Sequence, residues 1–164
     1  MISKYREMFQ YEIDCNKKML SMLAGVPKDK QSDPLFQRAV SIVDHLVACR
    51  ENWLIFMTGS DGKMVDWYDT SAKLETMPGR FDAMHATWTS YLASLTDESV
   101  NDDFEFFDNV RVLWSIHGQI DQLAGHAHYH RGQVTLIVDL LGGEVVDTDY
   151  ADYVYERSEK YGMI

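Results

Sequence analysis

The sequence predicts an all-α protein, a four-helix bundle with one small β-hairpin placed before its last helix. Apolar side chains recur at three- and four-residue steps in four long segments, the period of helices with one buried face. Breakers rich in Gly, Pro and Asp separate those segments. The one stretch that abandons the helical period, Phe104 to Trp114, is aromatic and β-branched around an Asp-Asn pair. With 164 residues, 46% hydrophobic and 25% charged, the chain suits a single domain over residues 1–164 with one hydrophobic core.

The first helix carries Ile2, Tyr5, Phe9, Ile13, Leu20 and Leu23 on its stripe and ends before Gly25 and Pro27. Residues 28–31 read as a surface connection, and Ser32 or Asp33 before Pro34 reads as an N-cap with proline at the first helical position. The second helix is apolar over more than one face, from Leu35 and Phe36 through Val43 and Leu46 to Phe56 and Met57, so it belongs at the centre. The breaker run Thr58-Gly59-Ser60-Asp61-Gly62 ends it. Residues 63–75 show no clean period and read as an irregular crossover whose Trp67 and Tyr68 pack over the bundle. Thr76 is placed to cap a third helix bearing Phe81, Met84, Trp88, Leu92 and Leu95. The last long helix runs from Ile116 to Leu141 and stops at Gly142-Gly143. A short helix is expected around residues 150–160.

Charge narrows the partners. A net charge of −11 with only 15 Lys and Arg repels phosphate backbones, so no nucleic-acid partner is expected. No apolar run approaches the ~20 residues that a membrane span needs. The residues after Met1 form no apolar leader, and two cysteines, Cys15 and Cys49, fit a reducing compartment, so a cytoplasmic protein is expected. A single bridge between those cysteines stays open at this stage.

Histidine carries the chemistry. His126 and His130 are four residues apart, which puts both imidazoles on one helix face, one turn from each other. Two such ligands can chelate one ion, and neutral imidazole suits zinc, nickel, copper or iron(II) better than calcium or magnesium. The pair could equally hydrogen-bond backbone or water. His45 lies in the middle of the most apolar helix, where a buried ring without a partner costs roughly 1–3 kcal/mol, and it supplies a third ligand from a second helix. Three neutral histidines leave an ion one open position, for water or a substrate thiolate. Cys49, one turn beyond His45, could reach the same ion but fits a small buried hydrophobe better. His128 points away from the pair, His85 and His117 are isolated, and Gln119 and Gln133 share the face of His126 as possible hydrogen-bond donors behind the ligands. Asp44, Glu51 and Glu12 are read as solvated charges.

The run His126-Ala127-His128-Tyr129-His130-Arg131-Gly132-Gln133, with His45-Leu46 and Trp53-Leu54 upstream, resembles the DinB/YfiT-like family of metal-binding bundles. Tyr11, Asn16 and the tail Asp147-Thr148-Asp149-Tyr150 extend the resemblance over nearly the whole chain, while Gly125 stands where many relatives carry asparagine. The resemblance implies an up-down-down-up four-helix bundle, a zinc or nickel site on His45, His126 and His130, and a homodimer. It also implies metal-dependent transfer or isomerisation with low-molecular-weight thiols such as bacillithiol or mycothiol.

The leading functional expectation is a thiol S-transferase in which the ion lowers a thiol's pKa and presents the thiolate to an electrophile. A non-catalytic metal-binding or stress-response protein is the alternative, and a metal-free interaction bundle is a third reading. No Ser-His-Asp arrangement, phosphate loop or dinucleotide fingerprint is legible, and general acid and base roles stay unassigned. Walls for a substrate are expected from residues 58–75 and 101–114.

Overall fold

A computed structural model of the chain describes residues 1–157; the last three positions of the expected terminal helix, 158–160, lie outside the described residues. Four long helices, α1 (Ile2–Ala24), α2 (Pro34–Thr58), α3 (Met77–Ser94) and α4 (Ile116–Leu140), precede a short α5 (Tyr150–Arg157). Helix α2 packs against α3 and α4, and α1 packs against the same two from the other side. Among the described residues the single sheet is the expected hairpin, β1 (Asp103–Asp108) antiparallel to β2 (Val110–Ser115). Short 3-10 turns occupy 28–30, 74–76 and 99–101.

Local chemistry explains most of the boundaries. Asp33 accepts a hydrogen bond from the Leu35 amide at 2.8 Å with Pro34 in the first turn, the arrangement read from the sequence. Gly59, at φ +61°, ends α2 in the left-handed conformation that only glycine adopts without strain. Asn109, at φ 57°, reverses the hairpin, a role its short polar side chain tolerates. Ser115 Oγ accepts the Gly118 amide at 3.2 Å and starts α4. Thr76 does not cap α3: the chain is already helical at 74–76, and its hydroxyl donates instead to the Lys73 carbonyl at 2.8 Å.

The core is continuous between the four long helices, with Phe81 and Trp88 of α3 at its centre. The Trp88 indole N–H donates to the Arg50 carbonyl at 2.9 Å, so this large ring is buried with its polar atom satisfied. The hairpin lies on α2 through an aromatic cluster in which Trp53 meets Phe106 edge to face, centroids 5.0 Å apart, and Phe104 at 6.3 Å. The buried face of α1 is rotated from the expected one: Tyr11, Glu12, Cys15, Asn16 and Met19 are inside, while Ile13 and Leu20 are only half-buried. Cys15 and Cys49 are both buried and free, so the bridge left open by the sequence is not formed.

Two carboxylates expected in solvent are interior. Glu12 is buried against Arg50, whose Nε donates to Glu12 Oε1 at 3.0 Å and whose guanidinium lies 4.6 Å from the Trp88 ring centroid. Asp44 is buried against Arg80, which also holds Glu51 on the next two turns of α2. A buried carboxylate persists when a guanidinium and hydrogen bonds replace its water, and here the cations come from elements far along the chain. Among the described residues, no helix is long and apolar enough to cross a membrane.

Candidate metal centre

Helices α2 and α4 face each other along their middles, and the three histidines singled out in the sequence lie on the facing sides. His45 and His130 are buried and His126 is half-buried between them. The His126 Nε2 is 3.2 Å from His45 Nε2 and 3.0 Å from His130 Nε2. Two imidazole nitrogens bound to one tetrahedral ion at zinc distances would stand about 3.3 Å apart. Each of these two separations matches what a pair of ligands on one small ion requires, although the set of ligand atoms that all lie within 4.8 Å of one another is His45, Cys49 and His126, without His130.

Proton accounting sharpens the point. His45 Nδ1 donates to the Trp67 carbonyl at 2.6 Å, and a carbonyl can only accept, so the neutral ring turns an Nε2 lone pair inward. His130 Nδ1 donates to Gln133 Oε1 at 2.8 Å, with the same result at its Nε2. His126 Nε2 faces both lone pairs and can offer at most one proton. One of the two close contacts is left with no hydrogen between its nitrogens, a deficit that a cation removes.

Protonation is opposed by the surroundings. Burial, then the neighbouring His130 and His45 charges, push the His126 pKa down to about 4. Burial likewise lowers His45, although its bond to Trp67 works the other way. These are the conditions under which neutral imidazoles serve as metal ligands.

Cys49 belongs to the same neighbourhood: its Sγ and nitrogens of His45 and His126 lie within 4.8 Å of one another, a group that could hold a metal ion. Its position relative to His45 is distinctive, because Sγ is 3.6 Å from both ring nitrogens. Equal distances to the two nitrogens place the sulfur over the ring face, off the in-plane direction of the Nε2 lone pair. Burial pushes this thiol up to about 12, so it stays protonated without an ion beside it.

The crossover between α2 and α3 completes the site. Tyr68 lies flat on the His45 ring, centroids 3.8 Å apart and planes 7° from parallel, and Trp67 packs edge to face on Trp53. Asp44, held by Arg80, accepts the Asp69 amide at 3.3 Å and ties the same loop to α2. A chain of contacts thus runs from Arg80 through Asp44 and the loop to the Nδ1 of His45. Nothing local in the sequence announces the Trp67 carbonyl as its acceptor, because backbone groups of an aperiodic segment leave no pattern.

Other expectations fall out differently. Gln133 touches His130 rather than His126, and it accepts where a donor was expected. Gln119 is buried and bonds Gln122 at 3.0 Å. His85 is buried with its Nε2 3.2 Å from Asn16 Nδ2, and His128 is exposed with Nδ1 2.7 Å from the Ala124 carbonyl, so neither joins the cluster.

A cavity of about 500 Å³ opens onto His126 and His130, walled by Tyr68 and Tyr129. The crossover contributes to it as expected, but no hairpin residue lines it, because the hairpin is occupied with Trp53 and Phe56. A family model described as the DinB family matches residues 1–160. No curated protein and no solved structure matches the chain.

Proposed function

The chain belongs to the DinB family, and on that premise we propose that it is a metal-dependent enzyme acting on small thiols, with His45, His126 and His130 holding one divalent ion, zinc or nickel. The single observation that carries this reading is that His126 Nε2 faces the Nε2 atoms of both His45 and His130 at close range with at most one proton to offer them. The reading takes the four long helices as an up-down-down-up bundle, one domain over the whole chain, working as a cytoplasmic homodimer.

The chain's own residues do the positioning. Trp67 and Gln133 fix the Nδ1–H tautomers of His45 and His130, and Tyr68 shields one face of His45 from water. A bound divalent ion supplies Lewis acidity, which lowers the pKa of a thiol beside it so that the thiolate is present at neutral pH. The thiol proton leaves to solvent through the open cavity. Its sulfur then bonds to an electrophilic carbon, and the leaving group departs with its bonding pair.

The test compares zinc- or nickel-loaded with chelator-treated protein, using monobromobimane or an epoxide and a panel of cellular thiols. A rate that appears only with the ion supports the reading; equal rates with and without it would remove the enzyme assignment. A second reading is favoured by the ligands coming from two helices: the ion is a structural staple between α2 and α4. In that case chelation lowers the melting temperature steeply while no thiol chemistry appears.

A further inference from the structure

We propose that the mouth of the histidine cluster selects an acid-bearing thiol, its carboxylate held by Arg38 and its sulfur turned toward the His126 and His130 Nε2 atoms. The sulfur end rests on the metal reading above; the carboxylate end stands on the lining of the cavity alone.

Arg38 and Ile42 stand one turn apart on α2 and both line the cavity, and His45 follows three residues on along the same helix. Arg38 stands about 10 Å along the helix axis from His45, a span that the arginine stem shortens. Arg38, His126 and His130 line the same cavity, so a ligand lying in it can meet the guanidinium at one end and the two imidazoles of α4 at the other. The volume, about 500 Å³, falls within the ordinary range for small-molecule pockets, roughly 300–1,000 Å³.

The lining is biased toward donors. Arg38 is its one ionic group, Ser41 adds a hydroxyl, and Gln133 has its amide NH2 left over, since its oxygen is committed to His130. Among the described residues no Asp or Glu lines the cavity, although the chain carries 26 of them. The other arginines are committed or enclosed. Arg50, Arg80, Arg111 and Arg157 pair with carboxylates, Arg6 binds the carbonyls of Leu92, Ala93 and Leu95, and Arg131 is buried. Among the described residues Arg38 has no ion pair and is exposed at the mouth. A guanidinium free of ion pairs suits a carboxylate, which it grips through two parallel hydrogen bonds.

The experiment is calorimetric titration of mercaptosuccinate and of its uncharged counterpart 1-thioglycerol, into zinc-free and zinc-loaded protein. Folding of each variant is checked by circular dichroism. In wild type the acid binds about two- to fivefold tighter than the alcohol; in R38A the ratio falls to near one, and in R38K much of it returns. A ratio near one in wild type, or one that survives in R38A, overturns the proposal. Should zinc leave both affinities unchanged while the Arg38-dependent ratio persists, the carboxylate site stands and the metal reading falls.

Discussion

The side chains that decide this molecule's behaviour are polar groups placed where water cannot serve them. Glu12 and Arg50 are held by each other, and Arg50 is further flanked by Phe9 and Trp88. Removing one partner leaves the other charge buried, which costs about 3–5 kcal/mol, whereas replacing both by apolar groups costs much less. Chemical denaturation of Glu12→Gln, Arg50→Met and the double variant checks this: each single variant loses several kcal/mol and the double loses less than their sum. Additive losses would mean that the pair is not coupled. This pairing was not legible in the sequence, because partners 38 residues apart leave no local pattern and a charged helical residue defaults to solvent. Glu12 and Asn16 also hid the true face of α1, since the apolar stripe alone points through Ile13 and Leu20.

Among the elements, helix ends were legible because their chemistry is local: Asp33-Pro34, Gly59 and Gly142 each act within a turn of the boundary they set. The hairpin was legible for the same reason, from Asp108-Asn109 between aromatic strands. The crossover was legible as an aperiodic segment with Trp67 and Tyr68 packed over the bundle, but the contacts by which it finishes the site, through the Trp67 carbonyl, the Tyr68 ring and the Asp69 amide, were not. Its attachment depends on Asp44, so Asp44→Ala should free the loop while α2 and α3 stay folded. The Asp69 amide and its neighbours should then exchange hydrogen faster, by an amount equivalent to about 1.5–3 kcal/mol, the worth of a charged hydrogen bond. Unchanged exchange there would show that the loop is held by Tyr68 stacking and Trp67 packing alone.

At the scale of the whole molecule, acid stability follows from the buried histidines. Burial lowers the pKa of His85 and of His45, and that of His126 to about 4, below the ordinary value of 6.5. The unfolded chain therefore binds protons first as pH falls. The stabilisation is complete above pH 6.5 and declines as the pH drops from there toward the folded-state values. In chelator-treated protein the melting temperature should be lower at pH 5 than at pH 7.5, by several degrees; a flat profile would mean that these rings are hydrated. The chain-wide match to the DinB family agrees with a motif that the sequence displayed openly, because a His-Xaa-Xaa-Xaa-His pair on one helix is a local pattern. What the spacing could not convey is that His45 arrives from α2 with its tautomer set by a loop carbonyl.

The most direct test of the account is the metal content of protein purified without a histidine tag, measured for wild type, His130→Ala and Cys49→Ala. Three converging imidazoles predict one divalent ion per chain in wild type, near-complete retention in Cys49→Ala and loss in His130→Ala. Full retention in His130→Ala together with loss in Cys49→Ala would transfer the ion to the His45, Cys49 and His126 group and contradict the ligand set; no ion in wild type, even after incubation with zinc or nickel, would contradict the metal centre itself.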